Sequence, residues 1–243
     1  MRVPRLYQPG HYQTGDTLSL DEDALRHAVQ VLRLRSGDAV RLFNGLGGEF
    51  TAVLAEVGRR KASVTVGEFA QVEIESPLAI TLWQGVSRGE RMDYTIQKAV
   101  ELGVHIIQPV FTQRSVELKD DRAEKRQHHW QRVAISACEQ CGRNRIPDIR
   151  PPQSLLSLLD VHAEQDDALR LFLDSHAAIP LPDTLATPKV ILLAGPEGGF
   201  AEDERHAITA AGFQATLLGP RVLRTETAAA AALAVIQARW GDF

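Results

Sequence analysis

Four stretches of this 243-residue chain hold residues whose types and spacing suit chemistry. The first is Leu192-Leu193-Ala194-Gly195-Pro196-Glu197-Gly198-Gly199-Phe200. An apolar strand runs into a glycine-rich turn and then an acidic helix start, and glycines there let backbone approach a ligand closely. No Gly-Lys-Ser/Thr follows, so it is not a phosphate-binding P-loop, and the dinucleotide pattern G-x-G-x-x-G is absent. A tight strand–helix connection explains the glycines equally well. The second is Leu217-Leu218-Gly219-Pro220-Arg221-Val222-Leu223-Arg224-Thr225-Glu226-Thr227-Ala228, again between strand and helix. Thr225 can cap that helix and Glu226 suits its positive end. Arg221 and Arg224 have no such reason to be there, because a cation is unfavourable at a helix N-terminus. They read as functional.

The third stretch is Ala137-Cys138-Glu139-Gln140-Cys141-Gly142-Arg143-Asn144-Arg145. With two cysteines in the chain, a four-cysteine zinc site within it is excluded. His128 and His129 lie about 15 Å up the same expected helix. Redox C-x-x-C pairs sit at helix N-termini, whereas this pair sits at a C-terminus. Small buried packing is the expectation for the cysteines, with no metal. The polar neighbours Glu139, Gln140, Arg143 and Asn144 attract more interest. The fourth stretch is Ser87-Arg88-Gly89-Glu90-Arg91-Met92-Asp93-Tyr94, followed by Lys98 and Glu101. Its cations suit phosphates or an ordinary ion-paired helix start equally.

These stretches need a framework. Apolar residues make up 44% and charged residues 24%, the composition of a globular domain. No apolar run approaches the roughly 20 residues of a membrane helix, and Met1–Arg5 lacks a signal-peptide core. A cytoplasmic protein with no membrane partner is expected. The net charge of −4 hides a split: residues 1–75 carry −1, residues 76–150 carry +3, and residues 151–243 carry −6. A bulk nucleic-acid coat would be basic throughout. A site-specific nucleic-acid enzyme needs only local basic strips, such as Arg2 and Arg5, or Arg33, Arg35 and Arg41.

Two expected domains follow. Residues 1–72 read mostly as strand, with Ala39–Phe43, Glu49–Val57 and Ala62–Phe69 separated by turn signals. One helix interrupts them over Asp21–Leu34, with Asp21 as N-cap and Leu25, Ala28, Val29 and Leu32 inward. The pattern suits a small barrel. Gln71–Pro77 reads as a linker. Residues 73–243 alternate strand and helix, the sign of an α/β sheet with helices on both faces. Expected strands are Leu78–Gln84, Val104–Val110, Leu169–Leu173, Val190–Ala194 and Ala215–Leu218. Expected helices are Met92–Leu102, Lys125–Cys141, Glu202–Ala211 and Thr225–Trp240. Such sheets bind ligands outside the carboxyl ends of their strands, where the first two stretches fall.

Taken together, Gly195–Gly199, Leu218–Thr227, Lys98–Gly103, Glu139-Gln140 and Gly142-Arg143 resemble the ribosomal RNA small subunit methyltransferase E family of the SPOUT superfamily. The resemblance runs from residue 1 to 243 with the motifs in order, and Arg2–Arg5 and Val31–Arg33 match its N-terminal domain. It implies a PUA-like RNA-binding β-barrel over 1–72. It implies a methyltransferase domain over 73–243 with a deep trefoil knot at about 169–230, a topology that unaided rules disfavour. It further implies a homodimer that methylates N3 of one uridine in 16S ribosomal RNA of the small subunit, with S-adenosylmethionine as donor.

Carried over residue by residue, Gly195, Glu197 and Gly198 would line the donor on one side. Leu218, Gly219, Arg221, Leu223, Arg224 and Thr225 would line the other, with Asp174 nearby. The dimer would bury the Ala-rich face of the last helix, and Arg143 and Glu139 of the neighbouring subunit would complete the pocket. N3 of uridine is a poor nucleophile while protonated. A carboxylate, Glu139 or Glu226, is the expected proton acceptor, and Arg143 or Arg224 would hold the charge developing on the base. Arg2, Arg5, Arg33, Arg88 and Lys98 are the expected RNA contacts. Two alternatives stay open: a knotted methyltransferase acting on another RNA base, and a non-catalytic RNA-binding assembly factor.

Overall fold

The computed structural model describes residues 3–116, 120–162, 167–175, 177 and 180–243. The chain forms two compact units. The first joins Met1–Glu75 to Ile135–Ile146, and the second joins Ser76–Ala134 to Pro147–Phe243.

The first unit is one five-stranded sheet of β1 (Arg5–Tyr7), β2 (Thr17–Ser19), β3 (Ala39–Phe43), β4 (Glu49–Val57) and β5 (Ala62–Ala70), in the order β1-β3-β4-β5-β2. β3, β4 and β5 form an antiparallel meander, β1 lies parallel to β3, and β2 pairs antiparallel with β5. Among the described residues the edge strands β1 and β2 do not pair with each other. Alternating Val40, Leu42, Ala52, Leu54, Val64 and Val66 fill one face, and Ala24 and Ala28 cover it. The pleat's period of two dictates this pattern. Asp21 caps α1 (Glu22–Leu25) by accepting the Ala24 N–H at 2.7 Å, as expected.

The single helix expected over Asp21–Leu34 instead changes at Arg26 into a π-helical segment, Arg26–Val31. The wider turn rotates the face that a 3.6-residue period predicts. Leu32, expected inward, is therefore exposed, and Arg33 takes a left-handed backbone with φ +56°. Gln71–Glu75, expected as linker, is held inside this unit. The Val72 carbonyl accepts from Asn144 Nδ2 at 2.6 Å, and Glu75 grips Arg143.

The second unit is a parallel sheet in the order β12-β10-β11-β6-β7-β8, with β9 also on β7. Its strands are β6 (Ala79–Gly85), β7 (Ile106–Phe111), β8 (Asp148–Ile149), β9 (Gln153–Ser154), β10 (Leu169–Leu173), β11 (Lys189–Ala194) and β12 (Gln214–Thr216). Its helices are α2 (Glu90–Glu101), α4 (Leu155–His162), α5 (Glu202–Ala210) and α6 (Thr225–Trp240). α3 (Asp120–Cys141) runs from this unit into the first. Trp83, Phe172, Leu193, Phe200, Ile208 and Phe213 form a buried cluster under α4 and α5. β6 comes first in sequence but lies mid-sheet: the chain moves outward to β7 and β8, then returns to build β11, β10 and β12 on the other side. The order reverses between β6 and β11, the place where open α/β sheets keep their ligand crevice.

Candidate active site

A cavity of about 570 Å³ opens at the carboxyl ends of β10, β11 and β12, within the second unit. That size is in the range of pockets that hold a whole small-molecule ligand. Two connections build most of it: Gly195–Phe200 after β11, and Leu217–Glu226 between β12 and α6. All nine expected donor-lining residues belong to this wall: Gly195, Glu197, Gly198, Leu218, Gly219, Arg221, Leu223, Arg224 and Thr225. Glu226 and Asp174 line it too.

Glycine is required at two points beneath this wall. A Cβ on Gly85, at the end of β6, would meet Pro196 N at 2.5 Å. One on Gly198 would meet the Arg114 Cβ at 2.9 Å, and the Arg114 Nη1 donates to the Gly198 carbonyl at 2.9 Å. The two connections are stapled together from below. The Thr225 hydroxyl donates to the Gly195 carbonyl at 2.5 Å and accepts from Gln84 Nε2 at 3.2 Å. Gln84 is fully buried. Its position was missed in the sequence, where it reads as one more strand residue.

Charge within the cavity is uneven. Glu197 Oε1 accepts from the Arg88 N–H at 3.0 Å and from Arg91 Nη1 at 2.9 Å. Partial burial pushes this carboxyl up, but the Arg88 N–H and the Arg91 guanidinium outweigh it and hold the carboxyl below its ordinary value. Asp174 is gripped by Arg205 at 2.7 Å. Arg221 and Arg224 are exposed and make no ion pair among the described residues. Arg224 also sits as N-cap of α6, the place where a cation has no structural use. Glu226 Oε2 is buried and has no hydrogen-bond partner among the described residues. An unsatisfied buried carboxylate oxygen is costly and asks for a donor from outside the chain.

Three expected site residues lie elsewhere. Arg143 and Glu139, expected to reach the pocket from a neighbouring subunit, belong to the first unit and line no part of their own chain's cavity. Arg143 is 3% exposed and forks onto Glu75, with Nη2 to Oε2 at 2.5 Å and Nε to Oε2 at 3.1 Å. Glu139 accepts the Tyr7 N–H at 3.1 Å and lies 3.5 Å from His27 Nδ1. Burial pushes its carboxyl up to about 7, against the lowering effects of that N–H and of Arg5; Asp21 and Asp23 add to the rise. Arg5, expected on phosphate, is instead 7% exposed. Its guanidinium pairs with Glu49, donates to Asn144 Oδ1 at 2.8 Å and lies 4.7 Å from the centre of the Phe43 ring. Partners 44 and 139 residues away consume this charge, and spacing could not reveal them.

Of the other expected RNA contacts, Arg33 and Arg88 are exposed, and Lys98 bonds Glu101 at 2.8 Å. Arg2 lies outside the described residues. Cys138 is buried, its thiol pushed up to about 12 by that burial. No group of three or more potential metal ligands occurs among the described residues. Among them, no helix is long and apolar enough to cross a membrane.

Several proteins similar to this chain are named as methyltransferases. Residues 74–237 match the family described as RNA methyltransferase domain, and residues 20–67 match the RNA methyltransferase PUA domain. The chain is 35% identical over 243 residues to the ribosomal RNA small subunit methyltransferase E of Buchnera aphidicola from Schizaphis graminum, covering 99% of this chain and 98% of the relative. It is 32% identical over 228 residues to the Bacillus subtilis protein of the same name, covering 90% and 89%. Among solved structures, a methyltransferase of Legionella pneumophila with bound S-adenosylmethionine superposes with a TM-score of 0.93 at 42% identity over 100% of both chains. The ribosomal RNA small subunit methyltransferase E of Neisseria gonorrhoeae, also bound to S-adenosylmethionine, gives 0.89 at 41% over 100% of both. The chain therefore belongs to the ribosomal RNA small subunit methyltransferase E family.

Proposed function

We propose that this protein transfers a methyl group from S-adenosylmethionine to N3 of one uridine in 16S ribosomal RNA of the small ribosomal subunit. The observation that carries the reading is the buried Glu226 Oε2, without a hydrogen-bond partner among the described residues, in a cavity whose wall also holds Arg221 and Arg224, which make no ion pair among those residues. The residues present fit the donor. The cavity has the volume for it, Leu218 and Leu223 offer apolar surface, and backbone of two glycine-bearing connections is open to it. When bound, S-adenosylmethionine supplies an electrophilic methyl group.

The chain's own groups do the rest. Gly195, Gly198 and Gly219 let backbone close on the donor. Asp174 and Glu197 are already held by arginines and keep the wall in shape. Glu226 takes the N3 proton, which turns a poor nucleophile into a good one. Arg224 faces the negative charge that then spreads onto O2 and O4. N3 lies on the Watson–Crick edge, so the base enters unpaired. Glu139 and Arg143 keep no catalytic part in this scheme, because both are engaged inside the first unit. Arg33 and Arg88 contact RNA phosphates.

The finer reading includes a trefoil knot over about 169–230, a cytoplasmic location and a homodimer. The dimer is supported by α6, where Val235 is 42% exposed beside half-buried Ala231 and Ala234. The test is methyl transfer from labelled donor to small subunits from cells lacking the enzyme, followed by nucleoside analysis. Label in 3-methyluridine is the expected result. Label in another nucleoside moves the specificity, and a protein that binds no donor is an RNA-binding factor instead. Glu226→Gln is expected to lose at least about 10²-fold in kcat while its calorimetric donor affinity stays within a few-fold. Full turnover in that variant removes Glu226 from the mechanism.

A further inference from the structure

A turn over residues 112–115 follows β7 and meets the donor cavity at one residue, Arg114. The turn is closed twice. The Ser115 N–H donates to the Thr112 carbonyl at 3.1 Å, and the Thr112 N–H donates to Ser115 Oγ at 3.0 Å. It is also pinned to the start of α5, where the Gln113 N–H donates at 2.8 Å to Oε1 of Glu204, a residue only 2% exposed. The other Glu204 oxygen accepts the Ala201 N–H at 2.9 Å. A turn held in this way presents Arg114 from a fixed base. The arginine stem then runs over the bare backbone of Gly198, where a Cβ would meet its Cβ, Cδ and Cγ at 2.9, 3.3 and 3.6 Å. Nη1 donates to the Gly198 carbonyl at 2.9 Å, and the side chain is exposed. A guanidinium carries five N–H donors, and this is the one hydrogen bond that Arg114 makes among the described residues. The group is ordered before anything binds, so little side-chain entropy is left to lose.

Charge says what it waits for. Five arginines and three carboxylates line the cavity. Arg91 and Arg205 are taken by Glu197 and Asp174. Arg114, Arg221 and Arg224 make no ion pair among the described residues. S-adenosylmethionine brings one carboxylate beside two cations, an ammonium and a sulfonium. It has use for one of these arginines, and Arg224 faces the base. A wall with surplus positive charge that also admits a cationic donor is balanced by a polyanion. The planar fork of an arginine matches phosphate oxygens two at a time.

We propose that Arg114 holds a phosphate of the substrate RNA beside the methylated nucleotide, and so fixes the strand against the donor cavity. The proposal rests on the RNA methyl-transfer reading and adds a strand-positioning residue to it.

Arg114→Gln keeps most of the stem and an N–H for the Gly198 carbonyl but removes the charge. Its KM for small subunits is expected to rise about tenfold, and the salt slope of subunit binding should fall by about one. Donor affinity by calorimetry and melting temperature should stay close to wild type. Arg114→Lys restores the charge without the fork, so it should recover the salt slope and only part of the KM. Wild-type KM and salt slope in Arg114→Gln overturn the proposal and leave Arg114 as a support for Gly198. A tenfold loss of donor affinity in that variant overturns it too, and gives Arg114 to the donor carboxylate instead. Should the wild-type protein methylate no subunit RNA at all, the methyl-transfer reading fails, and the salt slope of Arg114→Gln still decides whether Arg114 meets a phosphate.

Discussion

Thr225 and Glu139 show how much a single side chain can be asked to do here. Thr225 carries the hydrogen bond that ties the two connections of the cavity wall together. Thr225→Val keeps the shape but leaves the Gly195 carbonyl and buried Gln84 Nε2 each one partner short. The expected cost is about 1–3 kcal/mol in urea denaturation, with a weaker donor affinity by calorimetry. A variant with wild-type donor affinity would show that the staple is not what shapes the wall. Glu139 acts through pH. Its folded value near 7 lies above its ordinary 4.5, so the protonated form is the one that the fold favours. The stability it confers is complete below about pH 4.5 and is lost as pH rises through 7, on the order of 3 kcal/mol in total. Burial lowers the pKa of neighbouring His27, leaving it largely neutral in the upper part of that window. Glu139→Gln still accepts the Tyr7 N–H and has no proton to lose. Its stability advantage over wild type should therefore grow between pH 5 and pH 8. An advantage equal at both ends rules out this account of the burial.

The elements divide by how much local pattern they carry. β10 and α6 span the residues expected, Leu169–Leu173 and Thr225–Trp240. Thr225, expected as the cap of α6, is instead its first residue and turns its hydroxyl to Gly195, and the N-cap Arg224 makes no side-chain cap. The glycine-rich connections were readable because a strand period stops, glycines follow, and a helix period starts. β8 and β9 have two residues each, too few for any period. α4 is leucine on nearly every side, so periodicity cannot tell its faces apart. The π-helical segment has no sequence signature, and it decides where Leu32 and Arg33 point. The cavity-lining residues could be found because local chain places them. The intra-chain partners of Arg5, Arg143 and Glu139 could not, because they lie far off along the chain. A prediction follows for the π-segment. A left-handed backbone costs a non-glycine residue about 1–2 kcal/mol. Arg33→Gly should therefore keep or gain stability while losing affinity for small subunits, with a salt slope lower by about one. Unchanged binding across a salt series removes Arg33 from the RNA interface.

The chain as a body is two units with unequal claims on the sequence. The second is acidic toward its C-terminus, and the basic excess sits in residues 76–150, where Arg88 and Arg126 lie. The first is discontinuous: residues 135–146 belong to it although 59 residues of the other unit precede them. They supply Arg143 to Glu75 and Asn144 to Arg5, so a fragment ending at residue 75 keeps a buried carboxylate and loses its cation. Breaking such a pair costs about 3–5 kcal/mol. The fragment 1–75 is thus expected to give no cooperative urea transition, and grafting 135–146 onto it through a flexible linker should restore one. A sharp transition in the short fragment alone would show that the sheet supports itself. The same discontinuity sets a clock during synthesis. At about 5–20 residues per second, the stretch from 76 to 146 takes roughly 4–14 s to make. The N-terminal sheet emerges first yet waits that long for its last pieces, while β6, α2 and β7 are already outside the ribosome. A nascent chain of this protein cannot finish one unit before it begins the other, so the part that is translated first is not the part that is completed first.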